Sequence, residues 1–95
     1  MGFTYRAPGS ESVQVQMALK TTKIRRGDTV VEQVADKERP YREVTLTSHP
    51  EAGEVEYLGH RVPVRYLSGV DSRTGRPVKY TGTEHMYWQV VRTMA

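Results

Sequence analysis

The stretch 54–82 constrains the fold more than any other part of the chain, because its turn signals divide it into three extended segments. Gly59-His60 is typical of a two-residue hairpin loop with glycine at the first central position. Residues 71–75, Asp-Ser-Arg-Thr-Gly, are typical of a longer loop that ends with glycine in a left-handed conformation. This spacing predicts two β-hairpins that share their middle strand.

The first loop determines which side chains of that hairpin share a face, because side chains alternate along a strand. Among the cross-strand pairs that it predicts are Tyr57 with Val62, Val55 with Val64, and Glu54 with Arg65. The two pairs of apolar residues lie on one face, and the ion pair lies on the other. A register shift of one residue would place charges on the apolar face, so the pattern favours this pairing.

The second loop predicts that Tyr66 pairs with Tyr80 and that Ser68 pairs with Val78. In this register the tyrosines of both hairpins lie on the valine face, away from Arg65, so we expect them to pack in the core. Pro63 and Pro77 have no backbone N–H, and each is therefore expected at a sheet edge, a strand start or a bulge; the sequence places them in the second and third segments.

The remaining strands are indicated by alternating apolar residues. One runs from Val13 to Lys20 and on to Ile24, and a Gly27-Asp28 loop would pair it with residues 29–34. A short strand surrounds residues 44–46, and residues 86–91 are apolar on both faces, which is typical of a strand in the middle of a sheet or beneath an interface.

No amphipathic helix or internal repeat is evident, and the strands are short and separated by turn signals. We therefore expect an all-β protein, a small antiparallel barrel or sandwich of six to seven short strands. Residues 13–95 are predicted to form a single β domain. Residues 1–12 contain glycine, proline and serine without periodicity, and they are predicted to form a flexible N-terminal arm.

Composition narrows the class of protein. The chain has 95 residues, a net charge of +3 and no cysteine. The lack of cysteine excludes disulfides, zinc–thiolate sites and thiol nucleophiles. No apolar run is long enough to span a bilayer, and the first residues lack the pattern of a secretion signal. We expect a soluble protein that is cytoplasmic or part of a larger assembly and does not bind a membrane.

The sequence offers no catalytic constellation. The three histidines, His49, His60 and His85, match no metal-ligand spacing, and no Gly-x-Ser-x-Gly motif is present. Adjacent pairs such as Ser48-His49 would point to opposite faces of an extended strand. The expectation is therefore a non-catalytic protein without a cofactor or a bound metal.

Two binding hypotheses remain. The first is a protein-binding or assembly module, whose partner is another protein or a second copy of the chain. Exposed strand edges pair readily with other strands, and extended arms suit contacts between subunits. The residues predicted to contact the partner are in the arm and the aromatic C-terminal strand: Phe3, Tyr5, Tyr87 and Trp88.

The alternative is a nucleic-acid-associated accessory protein. Five basic residues lie along the two hairpins and could neutralise phosphates: Arg61, Arg65, Arg73, Arg76 and Lys79. Binding of this kind would be sensitive to salt and only weakly sequence-specific. The predicted separation of these residues from the tyrosines makes base stacking the less favoured part of this hypothesis.

Overall fold

Eight strands, all paired antiparallel, form one curled sheet in the computed structural model of the protein, which describes residues 4–6 and 13–94. In chain order they are β1 (Thr4–Arg6), β2 (Val13–Lys20), β3 (Thr29–Gln33), β4 (Tyr41–Leu46), β5 (Glu51–Tyr57), β6 (His60–Asp71), β7 (Pro77–Thr83) and β8 (Tyr87–Met94). A 3-10 turn at Thr21–Lys23 follows β2, and the described residues contain no α-helix. The prediction of an all-β protein with six to seven strands after residue 12 is confirmed.

The order of strands across the sheet is β1-β2-β8-β3-β4-β6-β5, and β7 pairs with the other edge of β6. The sheet curls into a half-barrel. Strand β8 lies between β2 and β3, which confirms that the last strand occupies the middle of a sheet. The predicted hairpin between β2 and β3 is wrong, because β8 occupies the edge of β2 that such a hairpin would use.

The turn before β3 also ends the first strand earlier than expected. Strand β2 stops at Lys20, and Ile24 is buried in the core instead of extending the strand. The carboxylate of Asp28 accepts the backbone N–H of Arg25 at 3.0 Å, which closes the intervening segment into a tight turn. The chain therefore reverses here without pairing β2 to β3.

The core lies on the inner face of the curled sheet. Val30 is paired with both Val44 and Val90, so these three residues share one face across β4, β3 and β8. The buried cluster consists of Ile24, Val30, Leu46, Leu67 and Val90. Tyr80 and Trp88 pack against it with their ring centroids 5.4 Å apart. Full burial of each of these aliphatic side chains contributes about 1.5–3 kcal/mol to stability.

One buried ion pair fastens β8 to the turn before β3. Arg92 donates from Nε to Oδ1 and from Nη2 to Oδ2 of Asp28, both at 2.8 Å. The side chains are only 15% and 3% exposed. Hydrogen bonding to Asp28 raises the pKa of Arg92. The bidentate geometry satisfies the charge that burial would otherwise leave unpaired.

The first hairpin closes one residue earlier than predicted. Its loop is Leu58-Gly59, with φ of 49° and 78°, so both central residues are left-handed as in a type I′ turn. Glycine therefore occupies the second central position, not the first. The predicted register is wrong by two residues: the pairs are Tyr57 with His60, Val55 with Val62, and Glu54 with Pro63. A shift of two preserves the faces, so the apolar face itself is confirmed.

The predicted ion pair between Glu54 and Arg65 is consequently absent. Arg65 pairs with Ala52 in the ladder, and Glu54 instead lies 3.8 Å from the guanidinium of Arg61. Both side chains of that pair are well exposed, so its contribution to stability is small.

The second hairpin differs from its predicted register by one residue. Leu67 pairs with Tyr80 and Ser68 with Lys79, because the loop closes on a hydrogen bond from Asp71 N–H to the Arg76 carbonyl. A shift of one exchanges the faces. Tyr80 therefore lies on the inner face with Leu67 and Arg65, and the prediction that it shares a face with Tyr57 and Tyr66 is wrong.

Both prolines occupy positions that need no ladder donor. Pro77 is the first residue of β7. Pro63 precedes Val64, which is the residue of β6 at which pairing with β7 begins, so Pro63 itself has no partner on β7. These positions confirm the expectation from the missing N–H groups.

The predicted N-terminal arm, residues 1–12, lies mostly outside the described residues. Within it, Thr4–Arg6 forms β1, whose backbone pairs with Val13–Val15 of β2. Phe3 falls outside the described residues.

Candidate protein-binding hairpin

The β5–β6 hairpin extends beyond the rest of the sheet. Strand β6 pairs with β4 only at residues 69–71 and with β7 only at residues 64–70. Strand β5 pairs with residues 60–66 of β6 and with no other described strand. Every residue of β5 is exposed except Gly53, which is half-buried. The distal part of this hairpin, residues 54–63, is therefore a two-stranded ribbon that solvent reaches from both faces.

The two faces of the ribbon differ in chemistry. One face has Val55, Tyr57 and Val62, and Leu58 stands at the tip. Val55 is 37% exposed, Tyr57 66% and Leu58 81%. The opposite face has the charged residues Glu54, Glu56 and Arg61. The ribbon is thus amphipathic, and Val55, Tyr57 and Leu58 leave much of its apolar side exposed to solvent.

Leu58 is in an unfavourable backbone conformation. Its φ of 49° is the only positive value at a described residue other than glycine. For a residue with a Cβ, left-handed backbone costs about 1–2 kcal/mol. Because the side chain is also the most exposed large apolar side chain in the described part of the protein, packing within the domain does not compensate for this cost.

The base of the ribbon is fixed by an aromatic ring. Tyr66 on β6 lies over Gly53 on β5, where an added Cβ would be 3.0 Å from the ring carbon Cζ. Glycine at this position therefore allows the ring to lie flat on the neighbouring strand. Lys79 of β7 lies on the same face, with its Nζ 6.0 Å from the ring centroid. The ribbon thus projects from a firmly packed base.

The structure separates the residues predicted to contact a partner. Tyr87 is exposed on the outer face of β8, with Lys20 Nζ 5.9 Å from its ring centroid. Trp88 points to the opposite face, packs against the core, and donates from Nε1 to Thr21 Oγ1 at 2.8 Å. The described part of Tyr5 is its backbone in β1. Of the four residues, Tyr87 is the one whose described side chain is openly accessible.

The residues predicted to contact nucleic acid do not form one patch. Arg61 is at the start of β6, whereas Arg73 and Arg76 are in the turn after its end. Twelve residues of extended strand separate these ends by about 36 Å. Arg65 and Lys79 lie on opposite faces, because Lys79 pairs with Ser68 and is on the face of Tyr66.

Arg73 lines a cleft together with two other arginines that the sequence pattern does not point to. Arg39, Arg42 and Arg73 line a cleft of about 430 Å³ between the β3–β4 connection and the turn after β6. Asp71 forms part of the same wall, and its pKa is lowered because its carboxylate accepts the backbone N–H of Arg73 at 2.8 Å. The pairing of β4 with the end of β6 brings these segments together, and no local pattern could have predicted it.

All three histidines are exposed. Within the described part of the chain, no three His, Cys, Asp or Glu residues converge as a metal site would require. No helix among those residues is long and apolar enough to cross a membrane.

The residues that distinguish the ribbon were partly visible in the sequence. The sequence predicts its apolar face, but it also predicts that Tyr57 packs in the core, whereas Tyr57 is exposed. The sequence signal for Leu58 is the Leu-Gly pair, since it permits a type I′ turn with leucine at the tip.

No protein-family model, curated protein or solved structure matches this chain.

Proposed function

We propose that the protein is a non-catalytic binding or assembly module that docks another protein, or a second copy of itself, through the β5–β6 hairpin. The observation that supports this most is the exposed apolar face of the ribbon, formed by Val55, Tyr57 and Leu58. A two-stranded hairpin is marginally stable in water unless its apolar face packs against something. An exposed apolar patch on a projecting element is typical of a protein–protein contact.

The conformation of Leu58 supports the same proposal. A type I′ turn favours asparagine or aspartate before glycine, because these residues tolerate left-handed backbone. Leucine is unfavourable here for folding, and its exposed side chain contacts little of its own domain. A residue that suits a partner better than it suits the fold is expected at a binding site.

Site-specific photo-crosslinking tests the proposal. A photoreactive phenylalanine analogue is placed at position 58 and, as a matched control, at position 74, an exposed site in the other hairpin turn. The proteins are irradiated in the cells that naturally produce them, and adducts are identified by mass spectrometry. We expect one predominant protein adduct, or a crosslinked dimer, at position 58 and not at 74. No adduct at 58, or the same adducts at both positions, would refute the proposal.

A second candidate function is supported by the arginine cleft. Guanidinium groups bind phosphate in a bidentate manner, and neither Arg39 nor Arg73 forms an ion pair within residues 13–94. Single-stranded oligonucleotide binding would weaken steeply with salt. The double variant R39Q/R73Q should lose this binding while R76Q, which changes a neighbouring arginine that does not line the cleft, retains it. The absence of gel retardation at low salt would rule out this function.

A further inference from the structure

We infer that the open edge of β5 accepts an extended segment of the partner as an additional strand, and that this segment alternates basic and apolar residues. The inference rests on the proposed function and specifies the chemistry of the partner.

The backbone of β5 has hydrogen-bonding groups directed away from β6. In an antiparallel pair closed by a two-residue loop, the residues next to the loop, Tyr57 and His60, exchange both hydrogen bonds, and pairs then alternate. Ala52, Glu54 and Glu56 consequently direct their N–H and C=O groups outward. The position of Pro63 opposite Glu54 agrees with this assignment. Proline has no N–H, so it could not supply the donor that a hydrogen-bonded pair requires.

The side chains along this edge specify the added strand. Glu54 and Glu56 project from one face, and the segment Glu51–Tyr57 contains no lysine or arginine. Val55 and Tyr57 project from the other face. A strand laid beside β5 would continue both faces, because side chains alternate in register across a sheet. Its residues beside Glu54 and Glu56 would be lysine or arginine, and those beside Val55 and Tyr57 would be apolar.

The same charges disfavour pairing of this edge with itself. If β5 of one copy paired with β5 of another, glutamates would lie against glutamates on the charged face. Charged side chains on edge strands commonly prevent association of this kind. Protection alone does not account for the exposed apolar residues Val55 and Tyr57 on the opposite face of the same strand. If this edge disfavours pairing with a second copy of β5 and favours pairing with a basic strand, both the glutamates on one face and the exposed apolar residues on the other are explained.

The binding experiment uses two designed seven-residue peptides, the length of β5. One alternates lysine with valine and tyrosine, and the other has glutamate at each lysine position. Fluorescence anisotropy measures their affinity for the full-length protein. We expect the basic peptide to bind at least about tenfold more tightly than the acidic one, which is the effect of roughly 1.4 kcal/mol. Equal affinities would overturn the inference.

A charge exchange tests whether the edge is responsible. The variant E54K/E56K should reverse the preference and bind the acidic peptide more tightly. The control variant E38K/E43K makes the same change in net charge at two exposed glutamates outside β5 and should retain the wild-type preference. If E38K/E43K altered the preference as much as E54K/E56K does, the effect would come from overall charge and the inference would fail.

Hydrogen exchange identifies the mode of binding. Addition of the basic peptide should slow exchange of the outward amides of Ala52, Glu54 and Glu56, and should leave the amides of Val55 and Tyr57, which already bond to β6, nearly unchanged. Protection without this alternation would refute strand addition. A positive crosslink at position 58 together with such a result would leave the proposed function standing and the inference wrong, so the two failures are distinguishable.

Discussion

Replacing Leu58 with asparagine should stabilise the domain while weakening its binding. The left-handed backbone at this position costs a leucine about 1–2 kcal/mol, and asparagine tolerates it better. Full burial of a leucine contributes about 1.5–3 kcal/mol. Since Leu58 is 81% exposed, it retains only about a fifth of that contribution, roughly 0.3–0.6 kcal/mol. The expected net gain is therefore about 1 kcal/mol.

Thermal unfolding followed by circular dichroism measures this gain. For a domain of this size, about 1 kcal/mol raises Tm by roughly 4–8 °C. The control is Leu58→Ala, which retains a Cβ in the left-handed conformation and loses the small burial, so its Tm should be unchanged or slightly lower. A Tm for Leu58→Asn that falls with that of Leu58→Ala would refute the turn geometry and the reasoning from strain.

Three further perturbations test the core. Arg92→Met leaves the buried Asp28 carboxylate unpaired and should cost about 3–5 kcal/mol, measured by urea unfolding. Gly82→Ala places a Cβ 2.7 Å from Cζ2 of Trp88, so the indole must move; we expect about 1–3 kcal/mol of destabilisation and a shift in tryptophan fluorescence. Burial is the main cause that raises the pKa of Tyr80, and a hydrogen bond to a glutamate raises it further. The unfolded chain thus releases this proton first, and stability should fall as pH rises above about 10.

Each of these predictions has a result that would contradict it. A loss below about 1 kcal/mol for Arg92→Met would mean that water solvates the pair. Unchanged fluorescence in Gly82→Ala would mean that the ring does not lie against the glycine. The alkaline loss of stability should be smaller in Tyr80→Phe, which has no phenolic proton, and an identical pH profile would exclude Tyr80 as its source.

The sequence predicted the strands well and their pairing less well. Alternation of apolar residues is a local property, so it located the strand at Val13–Lys20 and the central position of the last strand. Loop register depended on whether Gly59 occupies the first or the second central position. Glycine is first in a type II′ turn and second in the type I′ turn observed here. The choice between them moves the loop by one residue and the cross-strand register by two.

The candidate site was only partly predictable for a related reason. The shared face of Val55 and Tyr57 follows from alternation alone. Whether that face is covered depends on where β4 and β7 meet β6, and these contacts join segments far apart in the chain. The same limit applies to Arg39 and Arg42, which approach Arg73 only through tertiary pairing.

The position of β8 has a consequence for the order of folding. Residues 13–20 have their main partner at residues 87–94, and β3 also pairs with β8. The closure of such a long loop slows folding, whereas β5, β6 and β7 are joined by short turns and form local contacts. The meander that contains the β5–β6 hairpin should therefore form early, and the first half of the sheet should close only when β8 pairs with β2 and β3. The exposed ribbon, residues 54–63, is thus expected to be in place before the sheet is complete.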